Sequence, residues 1–168
     1  MQFFIRTVDK MNEWVGKAVS FLLIPLVLIT AFEVVMRYIV KRPTIWSWDL
    51  NIQIFAAIVM LGGGYTLLQK GHVVIDVLVI NMKPRKRAIL DLITSSFFFL
   101  GITVLILGGW DLAWMSLKAR ETMPTIWAPP YYTMKILVPV GALLVFFQGI
   151  SEFLKNLIIV ISKKEEKE

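Results

Sequence analysis

The chain has no cysteine and only one histidine, His72, and these two shortages remove most of the chemistry open to a protein of its size. Without cysteine there are no disulfides, no thiolate nucleophiles and no thiolate metal sites. One histidine cannot ligate a haem from both sides, and a structural metal would need carboxylates or further histidines at matched positions. No nucleophile–base arrangement, phosphate-cradling glycine loop or metal-ligand spacing occurs. These absences point away from an enzyme and from a cofactor.

Charge is also missing in a patterned way. Ala18–Phe32, Leu50–Gln69, Leu92–Trp110 and Ile136–Ser151 contain no Asp, Glu, Lys or Arg. Crossing the hydrocarbon layer of a bilayer as a helix takes roughly 20 mostly apolar residues. Two of these runs reach that length unaided. The other two reach it once Glu33–Tyr38 and Glu152–Leu157 are appended. Backbone polar groups in lipid must be paired within their own element, so the spans should be helical. The composition, 57% hydrophobic over 168 residues with a mean hydropathy of +0.71, leaves no room for a sizeable soluble domain. The expectation is an all-α membrane protein: a single domain, residues 1–168, with four transmembrane helices over about 15–38, 50–69, 89–112 and 134–157. No small-residue cleavage site follows the first apolar run, so a retained span is expected rather than a cleaved signal.

The net charge of +6 would suggest nucleic acid in a soluble protein; here it orients the chain in the lipid bilayer, and no nucleic-acid partner is expected. Four spans place both termini and the middle loop on one side. That side carries twelve of the eighteen Lys and Arg residues, including the cluster Lys83-Pro84-Arg85-Lys86-Arg87. The other side carries Arg37, Lys41, Arg42, Lys118, Arg120 and Lys135. Basic residues favour the cytoplasm, which predicts cytoplasmic termini. All six tryptophans fall at span ends or in loops, as interfacial anchors do.

Amphipathic interfacial segments are expected at the N-terminus, in the middle loop and at the C-terminus. Phe4, Val8, Met11, Val15 and Ala18 recur at helical spacing among charged residues, a pattern suited to lying in the membrane interface. Val73–Met82 is apolar apart from Asp76 and Asn81 but too short to span. The tail sets Phe153, Leu154, Leu157, Ile158 and Ile161 against polar neighbours before the solvated run Lys163–Glu168. The two outer loops hold Pro43, Trp46, Trp48, Pro124, Trp127, Pro129, Pro130, Tyr131 and Tyr132. Two readings of them stay open: a stiff, aromatic docking surface for another protein, or an aromatic belt with rigid turns.

Several residues invite a sharper reading. Glu33 and Arg37 share a helix face, and their simplest role is an ion pair facing protein; a proton- or substrate-coupled Glu33 is the alternative. Gly62-Gly63-Gly64 suits close helix packing better than a broken-helix ion site, because no second copy exists to form a matched pair. Gln148 is expected to hydrogen-bond between helices, and Pro25 and Pro139 to be tolerated kinks. His72 reads as a structural hydrogen-bonding group within reach of Asp76.

Taken in order, Glu33-x-x-x-Arg37, Pro43-x-x-Trp46-x-x-Asp49, Gly62-Gly63-Gly64-Tyr65 and Lys70-Gly71-His72-Val73-x-x-Asp76 form a pattern. Trp127-x-Pro129-Pro130-Tyr131 and Lys135-x-x-x-Pro139-x-Gly141 continue it. This pattern resembles the small membrane subunit of tripartite ATP-independent periplasmic (TRAP) transporters, the DctQ-like family, over about Ile24 to Gly149. Asp49 stands where that family usually has Glu. The resemblance implies a chain in the bacterial or archaeal inner membrane that braces a large multi-span permease subunit. That permease would import an organic acid on a sodium gradient, and a periplasmic substrate-binding protein would deliver it. Partner-contact or structural roles are then expected for Glu33, Arg37, Trp46, Asp49, Gly62, Gly63, His72, Asp76, Trp127, Tyr131 and Lys135. Two rival functions remain: a small four-helix proton-coupled exporter using Glu33, or a membrane anchor for a redox complex.

Overall fold

A computed structural model describes residues 1–71 and 84–165, with side chains through Ile161. The expected roles of His72 and Asp76 and the interfacial segment Val73–Met82 lie outside the described residues. Five α-helices account for nearly all of the rest: α1 (Gln2–Ser20), α2 (Leu23–Tyr38), α3 (Ser47–Leu68), α4 (Pro84–Lys118) and α5 (Tyr132–Glu165). α1 and α2 run almost end to end, so the chain forms four helical passes, each long and apolar enough to cross a membrane. One end of the bundle gathers both termini. The other gathers the loops 39–46 and 119–131.

The break between α1 and α2 has a local cause. Pro25 has no amide hydrogen, so the Phe21 carbonyl loses its usual donor four residues on. The Ile24 amide takes its place at 3.2 Å, and Leu22 donates to Val19 at 3.0 Å, tightening one turn at the junction. Pro139 lies inside α5 without ending it. α3 and α4 close alike. A basic residue, Lys70 or Arg120, adopts a left-handed conformation (φ 54° and 48°), and the next amide returns to the carbonyl of Thr66 or Ser116. The cation sits where the helix dipole is negative.

The interior is polar and small, and the exterior is apolar. Gln148, Asn12, Asp49, Pro139, Ser47 and Ser151 are the largest fully buried side chains, whereas Phe97, Leu100, Val104 and Leu107 on α4 are exposed. This inversion is what lipid permits: apolar side chains gain nothing by leaving it, so contacts form where backbones can approach or polar groups can pair. α5 is the hub, packing most extensively on α4 and also on α3 and α1. A Cβ on Gly141 would lie 2.2 Å from the Met60 carbonyl oxygen, so α5 touches the backbone of α3 there. A Cβ on Gly149 would meet the Phe98 ring at 2.3 Å. Beside it, Phe99 meets Phe146 and Phe153 edge-on, with ring centroids 5.5 and 6.1 Å apart. α2 leans mainly on α3 and buries none of its residues.

α1 is the expected helix, and its buried face is Ile5, Val8, Asn12, Gly16 and Val19. Of the apolar stripe at Phe4, Val8, Met11, Val15 and Ala18, only Val8 is buried, so most of the stripe is left outside the bundle. The packed face works through contact rather than apolarity. Gly16 admits the Tyr65 ring, and Asn12 lies over Gly64, where a Cβ would come within 2.1 Å of its oxygen.

The glycine contacts make a testable contrast. Gly141→Val drives a branched side chain into the Met60 backbone and should cost about 1–3 kcal/mol or more. Gly62 faces open space. Gly62→Ala should therefore be neutral or should stabilise by up to about 1 kcal/mol through helix propensity. Denaturant unfolding of the purified protein in detergent separates the two outcomes.

Candidate functional site

Polar side chains gather at two places, one at each end of the bundle. At the loop end, α3 begins at Ser47 with no side-chain cap from its N-cap residue, Trp46. The positive end of its dipole therefore favours nearby anions. Glu33 reaches it from α2. The Glu33 carboxylate accepts from the Thr44 hydroxyl at 2.6 Å, the Ser47 hydroxyl at 2.7 Å and the Thr44 amide at 3.2 Å. Its other oxygen accepts from Arg37 Nη2 at 2.8 Å and Nε at 3.2 Å. The Thr44 and Ser47 hydroxyls also touch one another. Glu33 thus ties α2, the loop and the start of α3 together, with Arg37 as one partner among several. Trp46 stacks on Phe32 beside it, centroids 6.1 Å apart.

Asp49, one turn into α3, is buried at 1% exposure and accepts from the Thr125 hydroxyl at 2.6 Å. It ties the start of α3 to the second loop from a buried position. Farther along the second loop, Lys135 donates to Glu121 at 2.5 Å, and the Ser116 hydroxyl donates to the same carboxylate oxygen at 2.6 Å. These two bonds, the Lys135 one foremost, hold the Glu121 carboxyl below the ordinary carboxylate range. The Lys135 ammonium also lies over the Tyr131 ring, 4.8 Å from its centroid. Trp127 is partly exposed on this loop. The loop folds back through an antiparallel bridge between Thr122 and Pro130, with Met123 buried beneath it.

At the terminal end, α1 and α5 share a second cluster. Gln148 accepts from the Asn12 amide at 2.8 Å and donates to Asp9 at 2.9 Å. Ser151 also donates to Asp9 at 2.9 Å, and Lys155 pairs with the other Asp9 oxygen at 2.8 Å. Gln148 thus makes the interhelical bonds expected of it. Gly63 meets Val145 and Gly64 meets Asn12 along an unbroken α3, while Gly62 touches nothing.

In both clusters acids meet bases or hydroxyls and the ties run between elements, while Asp49 Oδ1 and Asn12 Oδ1 are buried without a hydrogen-bond partner. Among the described residues no group of three or more His, Asp or Glu could hold a metal ion. The geometry is that of a braced scaffold.

Comparison with known proteins places this scaffold. The family described as tripartite ATP-independent periplasmic transporters, DctQ component, matches residues 26–158. The chain belongs to this family. A curated relative, the "C4-dicarboxylate TRAP transporter small permease protein DctQ" of Vibrio cholerae serotype O1, is 24% identical over 103 residues. That stretch covers 61% of this chain but 43% of the relative, so the chain matches less than half of the relative's length. DctQ membership together with four apolar helical passes makes this a multi-pass inner-membrane protein and a small membrane subunit of a TRAP transporter.

Of the residues singled out in the sequence, Glu33, Arg37, Trp46 and Asp49 converge at the start of α3, and Tyr131 and Lys135 meet at the start of α5. Thr44, Ser47, Glu121 and Thr125 complete the loop-end ties, yet nothing in their local spacing marks them. Asp9, Asn12, Ser151 and Lys155 were equally hidden. The usable signal for them was Gln148, an amide inside an apolar run that had to find a partner.

Because Glu33 holds four groups and the half-exposed Arg37 holds one, Glu33→Ala should lower the melting temperature more than Arg37→Ala. The double variant should fall little below Glu33→Ala alone, which thermal unfolding of all three variants checks. Asp49→Ala, which removes the charged acceptor of the half-buried Thr125 hydroxyl, should cost about 1–3 kcal/mol by the same measurement. The depressed Glu121 pKa means that its contribution is fully present above the ordinary carboxylate value of about 4.3 and is lost as pH falls through its lower folded value. Melting temperatures followed from pH 6 down to pH 3 should therefore drop more for the wild type than for Glu121→Gln.

Proposed function

We propose that this chain braces a large multi-span permease subunit of a TRAP transporter, which imports an organic acid on a sodium gradient from a periplasmic binding protein. The observation that carries the reading is α2. It buries none of its residues within the chain, while its Glu33 anchors it rigidly to the start of α3. A helix held in fixed register with its length exposed is suited to packing against another membrane subunit. The ion pairs Glu33–Arg37, Glu121–Lys135 and Asp9–Lys155 all close within the chain, as suits a part that supports transport without carrying substrate. The same pairing argues against a proton-coupled exporter, since Glu33 lies near the loop end of its helix and is already paired.

The twelve-to-six distribution of basic residues supports cytoplasmic termini. The exposed Trp48 at the start of α3 and the exposed loop residues Ile126 and Trp127 would then face the periplasm, where a binding protein would dock.

Two experiments test this. In liposomes the chain alone should give no sodium-driven uptake, and uptake should need the permease and binding protein together; uptake by the chain alone would overturn the assignment. Absence of native cysteine makes orientation direct to measure. In intact cells with a permeable outer membrane, Lys41→Cys should react with a membrane-impermeant maleimide, and Lys167→Cys should react only after lysis.

A further inference from the structure

Helices that stand side by side in a membrane should carry their uncharged stretches at one height, so that a single hydrocarbon layer covers them all. Here the heights differ. Phe98 of α4 meets Gly149 of α5, and Gly109 meets Val138, so Asp111 lies level with Ile136. Gly141 of α5 touches Met60 of α3, which brings that level to Phe55. Gly16 of α1 receives the Tyr65 ring, so Lys17 lies level with Gly64. Asp111 and Lys17 are both exposed. In an upright bundle their heights would differ by about nine residues, about 14 Å at the rise of an α-helix. A hydrocarbon layer is about 30 Å thick, so at least one of these charges would stand well inside it, facing lipid, where charged side chains are costly.

The displacement is orderly. α2 packs on α3, α3 on α5 and α5 on α4, while neither α2 with α5 nor α3 with α4 packs extensively, so from α2 to α4 the helices form a row. Along this row the exposed interfacial aromatics step toward the terminal end. Glu33 bonds Ser47, so Tyr38 on α2 stands beyond the start of α3. Trp48 is the second residue of α3, and Trp114 and Trp110 on α4 are level with Ile52 and Ala56. The charges that close the apolar stretches at the terminal end step the same way. Lys17 is level with Gly64, Lys70 lies just past α3, and Asp91 is level with Asn156, farther out still. Two independent markers thus shift together by about ten residues, about 15 Å, across three neighbours spaced about 8–10 Å apart.

We infer that the surface meeting the bilayer is an oblique belt, with the row of helices tilted in its own plane by roughly 30°, inside the range of about 0–40° open to membrane helices. The loop end of α4 is raised out of the lipid on one side, and the first turns of α1 emerge on the other. Tilting adds the width of the row to the height of the belt. Lys17 and Asp111 become about 20–25 Å apart along the membrane normal, and the long Lys17 side chain reaches the rest of the way to water. Asp111, Trp110 and Trp114 then share one interface, and Lys17 and the exposed Trp14 share the other. The exposed Ile93 and Phe97, toward the terminal end of α4, lie in lipid.

Spin labels on the naturally cysteine-free chain test this. Ala18 with Leu100, and Ile24 with Leu107, are two pairs nearly level within the bundle, and all four residues are exposed. Each is changed singly to Cys in the full chain, labelled and reconstituted in liposomes. Depth is read from the label's collisions with oxygen against those with a water-soluble nickel chelate. In the tilted bundle the label at Leu100 should lie about 5–10 Å deeper than that at Ala18, and the label at Ile24 deeper than that at Leu107 by a similar amount. The α4 member is the deeper in one pair and the shallower in the other, an exchange that a property of one helix alone does not produce. Equal depths within either pair, or the reverse order, would overturn the inference. Neither permease nor substrate enters the measurement, so its failure leaves the subunit assignment standing.

Discussion

Everything in this molecule depends on how closely α5 can approach α3 and α1. In water the burial of apolar side chains would hold helices together; in lipid that force is absent, because hydrocarbon is as apolar as leucine. What remains is dispersion between surfaces in contact and hydrogen bonds that have no better partner. Gly141 lets the α5 backbone touch that of α3 at Met60, and Gly149 admits the Phe98 ring. Seven residues from Gly141 and one from Gly149, Gln148 is brought near enough to α1 to bond both Asn12 and Asp9. Separating the helices would leave these groups unpaired in hydrocarbon, where each unmet bond costs more than it would in water.

The two polar clusters hold the bundle at its ends, and their difference in construction is informative. The terminal cluster joins helix to helix through amides and one ion pair, Asp9–Lys155. The loop cluster joins helices to turns, through Glu33 to Thr44 and Ser47, Asp49 to Thr125, and Glu121 to Lys135. Charged groups therefore sit where water is near, and neutral amides sit deeper. That ordering follows the cost of burying each kind of group.

Much of the architecture was legible in the residues. The uncharged runs marked four passes, and Glu33 and Arg37 at a spacing of four marked a shared face; Pro25 and Pro139 read alike as tolerated kinks, whereas only Pro25 stands beside a break, between α1 and α2. Gln148 announced a polar contact, though not with whom. The choice of face on α1 was not legible: Asn12 and Gly16 belong to no apolar stripe, and their burial depends on Gly64 and Tyr65 from a helix some fifty residues away. Asp49 was equally opaque. Its motif left partner-contact and structural roles open, and its contact, Thr125, lies seventy-six positions along the chain.

The sequence by itself determined that the chain lives in a membrane, how many times it can cross, and which family it resembles. These follow from local quantities: run length, charge placement and motif order. Only the tertiary structure decided which polar groups meet, which glycines carry backbone contacts, and that α2 is left uncovered. Those outcomes depend on helix rotation and register, and in lipid the hydropathy of a side chain does not say which way it turns. A stripe that is apolar all round has no preferred inside, so the small and polar residues choose it, and they do so only once their partners from other helices are in place.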